Sequence, residues 1–140
     1  MDPRVWFVCG ALLAGLGVVN GAFAAHGLEK RLDAVYGDDV ELLDSRLAQY
    51  ETGVRYQMYH AFGLMVVGLV GIRKPSPLWG LAGFCFLAGV MVFSGLLYLL
   101  VIWNQPKLGM IVPVGGVSFI IGWVALAAGG YGALREPDIK

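Results

Sequence analysis

The sequence predicts an all-α membrane protein: a bundle of four transmembrane helices with an amphipathic surface helix between spans one and two. Three observations carry that prediction. Of 140 residues 58% are hydrophobic and 14% charged, against roughly 25% charged in soluble domains. Charges vanish from four stretches, 5–25, 56–72, 75–106 and 108–134, each able to hold the roughly 17–25 residues that cross a bilayer. Small residues recur at helical spacing in the first and last of these, as close helix packing in lipid requires.

Span one is expected at 5–25. Ala22-Phe23-Ala24 has the form of a signal-peptidase site after an apolar run. The uncharged run is nevertheless longer than a signal core of about 7–15 residues, so an uncleaved helix is expected. Gly10, Ala14, Gly17 and Gly21 make its packing seam.

The segment 26–55 holds seven acids (Glu29, Asp33, Asp38, Asp39, Glu41, Asp44, Glu51) and four bases (Lys30, Arg31, Arg46, Arg55), expected as solvated surface. Asp39 or Asp44 caps a helix over about 40–55, in which Leu43, Leu47, Tyr50 and Val54 form one apolar stripe. That amphipathic helix is expected to lie on the membrane or fold back over the bundle, and to lead into span two at 56–72.

Pro75-Ser76-Pro77 breaks the chain before span three at 78–100, and Asn104-Gln105-Pro106-Lys107 turns it toward span four at 112–128. Gly115, Ser118, Gly122, Ala125 and Gly129 give span four a seam of its own. Trp6, Trp79 and Tyr131 mark one interface and Tyr56, Tyr59, Tyr98 and Trp103 the other. The whole chain, 1–140, reads as one four-span domain.

Four crossings put both termini on one side. The terminal side carries Arg4, Arg73, Lys74, Arg135 and Lys140, and the opposite side Lys30, Arg31, Arg46, Arg55 and Lys107. With the count even, the short Arg73-Lys74 loop favours termini in the cytoplasm of a bacterial inner membrane. Ten basic residues balance ten acidic ones, so nucleic acid is not an expected partner. The partners expected are membrane lipids, a further copy of the chain or another membrane protein. Cys9 and Cys85 lie far apart in apolar segments, as reduced small hydrophobes do.

The polar residues of the spans gather toward the long loop. At roughly 1.5 Å per residue, Asn20 lies about 8 Å inside span one, His60 about 7 Å inside span two and Tyr98 about 9 Å from Asn104. His26 and Gln57 flank that layer, Ser94 lies a turn deeper than Tyr98, and Pro113 opens span four. Asn20, His26, Gln57, His60, Ser94 and Tyr98 are therefore the candidate binding layer. One reading makes them glue between helices, worth about 1 kcal/mol or less per bond. A second gives His60 a role in moving protons or solutes, beside Asn20 and Tyr98. A third has His26 and His60 ligate haem. Otherwise no cofactor is expected. A hydrolase finds least support, since Ser94 lacks a G-x-S-x-G context and no acid lies inside a span. No metal site is expected, for want of a third or fourth ligand.

Over nearly the whole chain these residues resemble the bacterial YgdD-like family, domain of unknown function 423, which has relatives in animals. The resemblance is carried by Gly21-Ala22-Phe23-Ala24-Ala25-His26-Gly27-Leu28, Tyr56-Gln57-Met58-Tyr59-His60-Ala61, Phe93-Ser94-Gly95-Leu96-Leu97-Tyr98 and Val112-Pro113-Val114-Gly115-Gly116, with Gly122-Trp123 downstream. It implies four helices and brings no activity with it. The chain departs from the family pattern at Ala24, where Gly is usual, at Leu96, where Ser is common, and at Val112, where Thr is common. Two polar groups near Tyr98 and Pro113 are thereby lost. The function expected is that of a non-enzymatic binding or accessory membrane protein; the alternative is a small transporter or channel subunit with its polar site around His60.

Overall fold

A computed structural model describes residues 2–135, and the described residues are helical almost throughout. Lys140, counted above among the terminal-side bases, lies outside them. Helix α1 (Pro3–Phe23) starts at Asp2, whose carboxylate accepts from the Arg4 backbone N–H. Gly27 does not stop the chain there. It passes through a π-helical turn, Ala24–Leu28, into α2 (Glu29–Tyr36).

Asp39 caps α3 (Val40–Arg73), its Oδ1 accepting from Leu42 N–H at 3.0 Å. The polar segment of the long loop thus takes two forms: α2, and the first half of α3, which runs on into the apolar half without a break. The Pro-rich turn separates α3 from α4 (Pro77–Gly89), and a second π-helical turn, Val90–Ser94, joins α4 to α5 (Gly95–Ile102). Asn104 turns the chain in the left-handed region at φ 51°, which Asn tolerates better than most residues. A 3₁₀ turn, Pro106–Met110, then leads into α6 (Val112–Arg135).

Among the described residues three helical stretches can cross a membrane by length and apolarity, Pro3–Tyr36, Pro77–Ile102 and Pro106–Ala133. The apolar half of α3 carries Gln57 and His60, which lower its hydropathy. It lies antiparallel along α1. Gly68 of α3 meets Pro3 and Phe7, and Gly10 of α1 meets the Ala61 carbonyl and Met65 N, positions where an added Cβ would fall 2.6–2.9 Å from backbone atoms. Such close approach is how helices gain contact in lipid, where burial of apolar surface gives no net drive.

The spans pack around Trp6, Leu64, Val67, Trp79, Phe86, Val90 and Phe119. Trp6 and Trp79, expected at the interface, are 2% and 3% exposed. Two glycines account for that: Trp6 lies on Gly83 of α4 and Trp79 on Gly129 of the α6 seam, and each leaves room for a ring. The Trp79 indole donates to the Lys74 carbonyl at 2.7 Å. Ser118 of the α6 seam donates to the Cys85 carbonyl at 2.8 Å.

A second core lies at the long-loop end. Leu28, Leu32 and Tyr36 pack there with Leu43 and Tyr50 of α3 and Leu100 and Val101 of α5. Outside both cores the bundle is ringed by exposed Val8, Leu12, Leu16, Val19, Phe84, Met91, Val117, Ile120 and Val124. A contiguous apolar girdle of this kind is the surface a bilayer solvates.

Candidate functional site

Two polar clusters lie where the spans approach the long-loop end. The first centres on Gln57, which faces inward from α3 and is 3% exposed. Its Nε2 donates to the Leu13 carbonyl of α1 at 2.7 Å. Its Oε1 accepts from Tyr98 OH of α5 at 2.8 Å and from Asn20 Nδ2 of α1 at 3.4 Å. A carbonyl only accepts, so the Leu13 bond sets which way round the amide sits. One side chain thereby ties three helices. Gly17 and Gly53 leave the space: an added Cβ would fall 2.5 Å from Met58 Sδ at the first and 2.8 Å from the Tyr98 ring at the second.

The second cluster centres on His60, one turn deeper and 4% exposed. Its Nδ1 lies 2.7 Å from the Tyr56 carbonyl, and its Nε2 lies 3.1 Å from Trp123 Nε1 of α6. The carbonyl must accept and the indole N–H must donate. These partners fix the tautomer with the proton on Nδ1 and the lone pair on Nε2. The imidazole stacks on Phe119, centroids 3.4 Å apart and planes within 9°, and Tyr56 stacks on Phe93 at 4.6 Å.

The expected layer is therefore divided. Asn20, Gln57 and Tyr98 are joined; His60 belongs to a separate aromatic cluster. Ser94 is fully buried on the second π-helical turn with no partner for its hydroxyl. His26 sits on the first π-helical turn and is exposed. Haem ligation by His26 and His60 would cost the Trp123 bond, because Nε2 is already taken. Trp123, which sequence reasoning kept out of the layer, closes it. Its traces in the sequence are its place one helical turn after Phe119 on α6 and its part in the Gly122-Trp123 pair.

Beside the His60 cluster a groove of about 610 Å³ opens toward lipid between α3 and α6, lined by Tyr56, Tyr59, Phe93, Pro113, Phe119 and Trp123. Its walls are mainly aromatic. Gly116 also lines it, and an added Cβ there would make only ordinary contact with Phe93.

Fold and site together define an all-helical membrane protein whose buried polar side chains are gathered near one end of an apolar bundle. The chain belongs to the family described as protein of unknown function (DUF423), whose model matches residues 20–116. It is similar to the UPF0382 membrane protein YwdK of Bacillus subtilis, 41% identical over 128 residues, covering 88% of this chain and 93% of that protein. A UPF0382 membrane protein of Staphylococcus saprophyticus is 39% identical over 127 residues, covering 90% and 96%. No solved structure matches the chain.

Proposed function

We propose that this chain is a non-enzymatic binding or accessory protein that crosses the bacterial cytoplasmic membrane four times, with both termini in the cytoplasm, and works through the aromatic groove beside His60. One observation carries the reading: the polar side chains best placed for transport or catalysis are already bonded within the protein, and what stays open beside them is apolar. Both ring nitrogens of His60 are engaged, and Gln57 is bonded through both amide atoms. A conduction path needs polar groups free to exchange partners. The fourth crossing is supported by the apolar half of α3, which follows α1 from Val54, opposite Gly21, to Gly71, opposite Pro3. The groove suits a lipid chain or an apolar helix, either from a further copy or from another membrane protein.

Proteoliposome flux separates this reading from the transporter. Vesicles holding the wild-type chain should pass protons and small ions no faster than empty ones, and His60→Ala should lower thermal stability without changing flux. Flux above the empty vesicles that disappears in His60→Ala would overturn the proposal and establish a transport site.

A further inference from the structure

The arginines of the charged segment are held differently. Arg46 is buried and donates to Gln49 Oε1 at 2.9 Å, and Arg55 donates to Thr52 Oγ1 at 3.1 Å. Arg31 is exposed, and among the described residues its side chain makes no hydrogen bond or ion pair. Its own helix offers it no acid: the positions three and four away are Gly27, Leu28, Ala34 and Val35. Glu29 and Asp33, two residues to either side, fall on the other face of the helix.

Arg31 lines a cavity instead. Between α2 and the end of α5 a recess of about 260 Å³ is bounded by Arg31, by apolar Leu32, Val35 and Ile102, and by Trp103 and Asn104. No other charged residue lines it. Val35 and Trp103 stay exposed, so the recess joins a free guanidinium to uncovered apolar surface. It is smaller than the roughly 300–1,000 Å³ of pockets for drug-sized ligands, and suits one compact anionic group with the start of an apolar chain. The apolar stretch Pro77–Ile102 ends there, and a tryptophan at the end of a span marks the level of the lipid headgroups. The abundant anion at that level is phosphate, which the planar fork of an arginine matches. The C-terminal end of α5 opposes an anion with only about half an elementary charge, against the whole charge of Arg31. Its Leu99 and Leu100 carbonyls are already taken by the backbone N–H groups of Trp103 and Gln105.

We infer that this recess is a binding site for a phospholipid, its phosphate held by the Arg31 guanidinium and the glycerol end of its chains against Val35 and Trp103. Asn104 adds an amide that can donate to the same phosphate. The site lies between other helices than the aromatic groove and stands whether or not that groove binds a partner.

The test uses the full chain, delipidated in mild detergent, with native mass spectrometry and thermal unfolding read together. Phosphatidylglycerol should be retained at one per chain and should raise the melting temperature, whereas diacylglycerol, which lacks the phosphate, should do neither. Arg31→Gln should weaken retention by roughly tenfold or more. Val35→Trp, which crowds the recess and leaves the arginine in place, should weaken it likewise. Lys30→Gln removes an equal charge one residue away but outside the recess, and should leave retention within about twofold. Positions 30, 31 and 35 are exposed, so the melting temperature of the lipid-free chain should stay level in all three variants and confirm that they fold. Equal retention of phosphatidylglycerol and diacylglycerol, retention unchanged in Arg31→Gln, or equal losses in Arg31→Gln and Lys30→Gln would sink the site. Displacement of the lipid by millimolar inorganic phosphate would overturn the lipid and leave a soluble anion as the ligand.

Discussion

Along the single helix α3, Gln57 and His60 are buried with their polar atoms bonded, while Arg46, three turns earlier, is buried with a nitrogen that bonds nothing. The difference follows the solvent. In hydrocarbon an unbonded polar group has no recourse to water, so neighbouring helices must supply the partner. Toward the surface that demand relaxes: Arg46 keeps one neutral acceptor, Gln49, and an unbonded Nε. The two halves also differ in how they are held, one by backbone approach to α1 and the other by side chains of α2 and α5.

Breaking the apolar half should have the largest effect. At Gly10 an added Cβ meets the Ala61 carbonyl and Met65 N, backbone atoms that cannot swing aside. Gly10→Ala should cost about 3 kcal/mol, the upper part of the range for overpacking. Toward the surface α1 and α3 separate, and at Gly21 the Cβ would make ordinary contact with Val54 at 3.6 Å. Gly21→Ala should change stability by less than about 0.5 kcal/mol. Unfolding in mixed micelles, followed by tryptophan fluorescence, compares the two. Similar losses would mean that the helices are equally close along their length.

The Gln57 hub should come next. Gln57→Leu keeps the volume but strands Tyr98 OH and Asn20, at a cost of about 2 kcal/mol by the same assay. In a cycle with Tyr98→Phe the coupling should be about 1 kcal/mol, within the range measured between membrane helices. Zero coupling would show that Tyr98 has another acceptor.

Much of this was legible beforehand and some of it was not, for physical reasons. Charge-free stretches and prolines locate helices because bilayer thickness and the missing proline N–H act through composition alone. Seam glycines such as Gly10 and Gly122 were readable because helical periodicity places them on one face. Which polar side chains would meet was not readable: Asn20, Gln57 and Tyr98 come from three helices whose rotations are set by packing. Trp123 passes for one more lipid-facing aromatic until α6 is seen to turn its indole N–H toward His60. Arg46 was hidden differently, since a charge among eleven charged residues reads as surface, yet a 3.6-residue period puts position 46 between Leu43 and Tyr50.

A smaller effect should separate the halves of α3 directly. Asp39→Ala removes the cap on Leu42 N–H, worth about 1 kcal/mol. If the surface half opens on its own, amide exchange over residues 40–46 should quicken while the apolar half keeps its protection. Faster exchange along the whole of α3 would mean that the two halves unfold as one unit.

Ser94 should change stability little, and gives the most exacting test of the rule that polar groups deep in the apolar bundle are closed. It breaks that rule: the hydroxyl is fully buried at span depth and unbonded. A helical serine can ordinarily return its proton to the carbonyl a turn earlier. On the π-helical turn Val90–Ser94 the Val90 carbonyl accepts instead from Gly95 N–H. Ser94→Ala removes an unsatisfied oxygen and leaves a void smaller than a methyl group. Relief of the desolvation penalty and the lost contacts nearly cancel, so stability should stay level or rise by up to about 1 kcal/mol. A loss of that size would mean that the hydroxyl does find a carbonyl on the widened turn, and that α3 and α5 obey the same rule throughout the membrane.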